Sequence, residues 1–228
     1  MDATSQPGYM PPMGTDNFSH VRYWVFDLDN TLYPPAARLF DQIEVKMTAY
    51  VMRALDVTHA EADRLRAKYW RDYGTTLAGL MAHHGIDPWS YLLDVHDISF
   101  DALTPDPDLA ARITALPGRR IVYTNGDAPY AQKVLKARGL ENVFDAVYGI
   151  EHADWRPKPE RQAFEAIFEA DNLPTDQAAM FEDDIRNLAE PHAMGMQTVH
   201  VAPDPDPHPH IHHHTDDLSA FLLRLLDG

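Results

Sequence analysis

The chain has 228 residues, 45% hydrophobic and 24% charged, enough to bury the core of one large domain or two small ones and incompatible with disorder throughout. Nineteen Lys and Arg against thirty-five Asp and Glu give a net charge of -16, which repels nucleic-acid polymers and anionic membrane surfaces. The absence of cysteine removes disulfides, thiolate metal sites and thiol nucleophiles. No apolar run approaches the roughly 18 residues of a spanning helix, and no basic, then apolar leader opens the chain, so the expectation is a cytoplasmic protein.

Residues 1–20 hold three Pro and two Gly with little periodicity, the pattern of a flexible N-terminal arm. Residues 23–26 (YWVF) form a short unbroken apolar run, as a strand buried on both faces does. Similar runs recur at 120–123 (RIVY), 178–181 (AAMF) and 197–200 (QTVH). Helical patterns over 129–138, 161–169 and 185–194 separate them, and a last one covers 217–226. Alternating strands and helices predict an α/β fold with a Rossmann-like open, mainly parallel sheet.

Roughly ninety residues separate the first two runs, far more than a βα connection requires. Leu39, Ile43, Met47, Tyr50, Val51 and Leu55 recur at helical spacing. Thr58 with Glu61 makes a capping box for a second helix, and 76–84 and 88–96 add two more. An all-helical insert over 35–104 follows, with the core over 21–34 and 105–228. The His-rich segment 203–214 (PDPDPHPHIHHH) has no fixed ligand spacing and reads as a solvated loop that binds transition metals only adventitiously.

The chemistry-bearing residues gather just beyond the apolar runs, at the carboxyl ends where open α/β sheets bind ligands. Asp27 and Asp29 (DLDNT) leave the first run on the same side. Thr124, Asn125 and Gly126 follow the second and offer a hydroxyl, an amide and a permissive backbone; an ordinary helix cap is the competing account. Lys158 lies between two prolines that restrict its backbone. Glu182, Asp183 and Asp184 end the third run, where three acids repel one another unless a cation sits among them.

In this order these residues resemble the haloacid dehalogenase superfamily, over about residues 21–202, and the insert is similar to its C1-type cap. More narrowly, VFDLDNTLYPP, YTNGD, KPE and FEDDIRNL resemble the pyrimidine 5'-nucleotidase-like branch. The resemblance implies a Mg²⁺-dependent phosphatase acting on a small phosphorylated metabolite, with a pyrimidine nucleoside 5'-monophosphate as the leading substrate. It implies that Asp27 is the nucleophile, forming an aspartyl-phosphate, and that Asp29 is acid to the leaving alcohol and then base for water. Thr124, Asn125 and Gly126 would hold the phosphoryl oxygens and Lys158 would neutralise charge. Asp27, Asp29 through its main-chain carbonyl, Asp183 and Glu182 would hold Mg²⁺. Asp184 competes with Asp183 as principal ligand, the spacing to Arg186-Asn187 favouring Asp183. Phosphoglycolate or a sugar phosphate as substrate, a sugar phosphomutase, a phospho-accepting signalling module and a dehalogenase are the other readings.

Overall fold

The computed structural model describes residues 18–227. Six strands, β1 (Tyr23–Phe26), β2 (Arg119–Tyr123), β3 (Ala146–Tyr148), β4 (Ala178–Glu182), β5 (Gln197–Val201) and β6 (His213–Thr215), form one sheet in the order β3-β2-β1-β4-β5-β6. Every pairing is parallel, with Phe26 opposite Val122 on one side and Phe181 on the other. The apolar runs of the sequence become strands because both faces of the sheet are covered. Trp24, Phe26, Val122 and Phe181 pack on one face, and Val25, Ile121 and Met180 on the other.

Helices α5 (Pro107–Ala115), α6 (Ala128–Ala137) and α9 (Leu218–Asp227) cover the first face, and α7 (Arg161–Ala170) the second. Between β1 and β2 come α1 (Leu39–Leu55), α2 (His59–Tyr73), α3 (Thr76–His84) and α4 (Pro88–Val95), in which α1 packs on α2 and α4, and α3 on α2 and α4. The Thr58 side chain accepts the Glu61 N–H as the start signal requires, but the Glu61 carboxylate turns to Arg64 instead of back to the cap. The strand order reverses on either side of β1, so the crevice beyond the ends of β1, β2 and β4 is where such a sheet receives a ligand.

Some expectations change. Residues 1–17 of the expected arm lie outside the described residues, whereas Phe18 is buried against Trp24, His213 and Phe221. The single helix expected over 185–194 is a 3-10 turn (Ile185–Leu188) followed by α8 (Ala189–Ala193). Pro191 has no N–H to give Asn187, so a continuous α-helical ladder cannot cross this point. The His-rich segment is not wholly a solvated loop: residues 203–209 are exposed, but His213 and Thr215 are buried in β6. Three residues without an aliphatic side chain form an edge strand because β5 supplies the ladder, and Phe18 and Phe221 supply the apolar cover.

Candidate active site

The ends of β1, β2 and β4 bring four charged groups into one buried cluster. Asp27 directly follows β1, and its N–H is held by the Phe181 carbonyl of β4 at 2.9 Å. Lys158 reaches the cluster from the loop before α7 and is 1% exposed. Its Nζ donates to Asp27 Oδ1 (2.7 Å), Glu182 Oε2 (2.7 Å) and the Tyr123 carbonyl (3.1 Å), which uses all three ammonium protons. Asn125 fixes this lysine from behind: its Nδ2 donates to the Lys158 carbonyl (3.1 Å) and its Oδ1 accepts the Lys158 N–H (2.8 Å). The Asn125 side chain therefore holds the lysine backbone with Oδ1 and one Nδ2 hydrogen, and the second Nδ2 hydrogen of this cavity-lining residue is left to donate. Thr124, 1% exposed, accepts the Gly126 N–H at 3.0 Å, which leaves its own hydroxyl proton to donate.

Asp27, Glu182 and Asp183 each offer a ligand atom, and these atoms lie within 4.8 Å of one another. Burial, then the Glu182 charge, pushes the Asp27 carboxyl up to about 8 against the pull of Lys158. Burial, then Glu182 and Asp27, pushes Asp183 up to about 10. Burial by itself would push the Lys158 ammonium down, but the two carboxylates beside it carry it up. Three carboxylates sharing one ammonium leave uncompensated negative charge, the condition a divalent cation relieves. The all-oxygen donor set suits a hard ion such as Mg²⁺. Among the described residues this is the group that could hold a metal, and no histidine belongs to it. The fold also separates the two competing acids. Asp183 accepts from Asn30 Nδ2 (3.2 Å) within the cluster, whereas Asp184 caps the Arg186 N–H (3.0 Å) and binds its guanidinium.

The Asp29 side chain lies outside the three-carboxylate group. Its Oδ1 accepts the hydroxyls of Tyr33 (2.7 Å) and Tyr130 (2.6 Å). Burial raises its pKa against these two hydrogen bonds. Tyr130 is itself positioned twice. Its ring stacks on His96 (4.0 Å between centroids), and its N–H donates to Asp127 Oδ1, while Asp127 Oδ2 pairs with His96 Nδ1 at 2.6 Å. His96 closes α4, so one residue of the helical insert meets the core at the site. Tyr33, Tyr130 and His96 were not identified from the sequence, where only Tyr33, four residues after Asp29, carries even a spacing signal, whereas Asp127 closes the YTNGD motif and is the helix cap that was its competing account.

A cavity of about 590 Å³ begins at Asp27, Thr124, Lys158 and Asp183 and extends between α1, α2, α3 and α4. Its far wall is largely apolar, with Phe40, Ile43 and Met47 of α1 and Leu92 and Val95 of α4. The insert touches the core again where the Arg186 guanidinium lies 3.6 Å above the Trp70 ring, and where Trp89 meets Trp155 edge-on at 5.1 Å.

A parallel sheet in this order, with buried carboxylates and a lysine at the ends of its central strands and a cavity above them, defines an α/β protein whose candidate active site is the switch point. The model of the haloacid dehalogenase-like hydrolases matches residues 21–195, and the chain belongs to that family. Phosphate metabolism protein 8 of Saccharomyces cerevisiae is 26% identical over 213 residues, 85% of this chain, and the chain covers 66% of that relative's length. Among solved structures, the putative HAD-hydrolase YfnB of Bacillus subtilis, bound to magnesium, superposes with a TM-score of 0.62 at 16% identity, over 90% of this chain and 98% of that one. The 2-haloacid dehalogenase of Pseudomonas syringae pv. Tomato DC3000 does so with 0.56 at 17% identity, over 91% and 98%. At these identities the structural likeness shows the fold.

Proposed function

We propose that this chain is a Mg²⁺-dependent phosphomonoesterase that works through an aspartyl-phosphate on Asp27. The observation that carries the reading is the buried group of Asp27, Glu182 and Asp183 with Lys158 among them, at the mouth of a cavity large enough for a metabolite. Such a cluster is unnecessary for displacing halide, which favours phosphoryl transfer over the dehalogenase activity named for several neighbours of the same fold.

Asp27 is the nucleophile: one carboxylate oxygen forms a bond to phosphorus as the ester P–O bond breaks and its electron pair leaves with the alkoxide. Asp29 gives that oxygen its proton, then takes one from the water that attacks phosphorus and releases the Asp27 carboxylate. Two hydrogen bonds on Oδ1 leave Asp29 Oδ2 to carry the proton. The Thr124 hydroxyl donates to a phosphoryl oxygen, and Lys158 holds Asp27 in place and offsets its charge. Bound by Asp27, Asp183, the Asp29 carbonyl and Glu182, directly or through water, Mg²⁺ would supply the positive charge that lets an anionic nucleophile meet an anionic substrate. The insert over 35–104 acts as the cap of a core formed by 21–34 and 105–228, and its apolar wall receives the leaving group. A pyrimidine nucleoside 5'-monophosphate is the substrate proposed first, on the resemblance of the DLDNTLYPP and FEDDIRNL segments.

Phosphate release from nucleotides, sugar phosphates and phosphoglycolate, with Mg²⁺ or with chelator, tests the reading. Release that needs Mg²⁺, prefers UMP or CMP and falls at least about 10³-fold in a folded Asp27→Asn variant is the expected result. Near-native turnover by that variant would remove the assignment, and preference for another ester would remove the nucleotide.

A further inference from the structure

We infer that the part of the cavity lined by the insert selects phosphate monoesters of an uncharged alcohol, and that Glu44, Arg66 and Asp63, at its solvent-facing side, form the wall that turns away a second anion. The inference rests on the phosphomonoesterase reading and adds the substrate class to it.

The phosphoryl group needs only the end of the cavity at Asp27, Thr124 and Lys158, so most of the 590 Å³ receives the leaving group. Two arginines line this part, and each already has its counter-charge. Arg66 of α2 donates through Nη2 to Glu44 Oε1 (3.2 Å), and its Nη1 lies 3.5 Å from Asp63 Oδ1. Thr48 ties the pair together, accepting from Arg66 Nη1 (2.7 Å) and donating to Asp63 Oδ1 (2.8 Å). Arg186 is bound by Asp184 through Nε (3.1 Å) and Nη2 (2.5 Å) and lies over Trp70. Three carboxylates thus face two guanidinium groups, and His96 is paired with Asp127.

A carboxylate or second phosphate on the leaving group would shed its water beside apolar α1 and α4, find no uncommitted cation among these residues and meet a surplus of negative charge. A hydroxyl or carbonyl group carries none of that cost.

The test uses substrate pairs that differ by one carboxylate: glycerol 3-phosphate against 3-phosphoglycerate, and UMP against orotidine 5'-monophosphate, with p-nitrophenyl phosphate as a general ester. The expected result is a kcat/KM at least tenfold higher for the uncharged member of each pair that is turned over. In a Glu44→Gln, Asp63→Asn double variant, which frees Arg66, that ratio should fall by tenfold or more. Turnover with ratios near one in the native protein overturns this inference and leaves the phosphatase reading intact. A double variant that still turns over p-nitrophenyl phosphate with the ratio unchanged overturns the role of the wall. No turnover of any ester, p-nitrophenyl phosphate included, overturns both readings.

Discussion

Asp29 and its two tyrosines show how far single residues could be read before the fold was known. Asp27, Asp29, Thr124, Lys158 and the Glu182-Asp183 pair were identifiable because each stands at or just beyond an apolar run, or between prolines, and the sheet brings those positions together. Tyr130 lies 101 residues from the Asp29 carboxylate it binds, and no local pattern reports such a contact. Asn125 was identified as well, and the same amide also fixes the Lys158 backbone, a contact that no local pattern reports. With Tyr33 and Tyr130 both donating to Oδ1, that oxygen acts as the acceptor and the acid proton belongs on Oδ2. Removing one donor loosens this choice while the His96 stack keeps the ring in place. Tyr130→Phe should therefore lower kcat by roughly tenfold to a hundredfold, the equivalent of a hydrogen bond of about 1.5–3 kcal/mol to a charged group. KM should change little, because the tyrosine touches the acid and not the substrate. Steady-state kinetics of the folded variant decide it, and a kcat within twofold of native would remove the positioning role.

At the level of elements, strands covered on both faces announced themselves and strands completed by their neighbours did not. β1, β4 and the last three residues of β2 are apolar because helices lie on both sides of them, while β5 (QTVHV) buries Val199 and Val201 among polar residues. β3 has three residues, and β6 is His-His-Thr, so their strand character comes from the ladder beside them and not from their own composition. α5 was also missed, although Asp106 caps it and Pro107 opens it, because only Leu109 and Ile113 are buried in its nine residues. Within the insert, the helical spacing was readable but the close approach of α2 and α3 was not. Gly79 of α3 lies against Tyr69 of α2, where an added Cβ would overlap the ring. Tyr69 is 4% exposed and its hydroxyl is tied to His84 at 2.7 Å, so the ring cannot move aside. Gly79→Ala gains about 1 kcal/mol of helix propensity but costs about 1–3 kcal/mol or more in overpacking. With the added Cβ overlapping the ring itself, the cost falls in the upper half of that range, about 2–3 kcal/mol, so we expect a net loss of about 1–2 kcal/mol, read as a fall in Tm of about 3–6 °C. A neutral or stabilising substitution would mean that the two helices separate more easily than this contact allows.

Across the whole molecule, the insert and the core meet through Trp70 with Arg186, Trp89 with Trp155, and His96 with Asp127, and the cavity lies between them, flanked by aromatic and charged contacts from both. On the opposite, β6 edge of the sheet, His213 sits between Phe18 and Phe221 and ties together the two ends of the described chain. Burial, then the neighbouring His212, pushes the His213 imidazole down to about 4 from its ordinary 6.5. Between those values the unfolded chain binds a proton that the folded chain does not, so this residue's contribution is full above pH 6.5 and is lost as pH falls toward 4. The difference corresponds to at most about 3 kcal/mol. Asp27 and Asp183, both pushed up, act in the opposite direction: the folded chain holds protons the unfolded one has lost, and stability falls as pH rises through their window. Total stability against pH therefore mixes two opposing slopes, and the His213 contribution is isolated only by difference. Urea unfolding of native protein and of His213→Phe at pH 7.5, 6, 5 and 4.5 provides it. The gap in ΔG should close, or reverse in favour of the variant, by about 2–3 kcal/mol on acidification, because phenylalanine fills the same aromatic site and takes up no proton. A gap constant across that range would show that His213 has water or a hydrogen-bond partner in the folded protein and carries no such load.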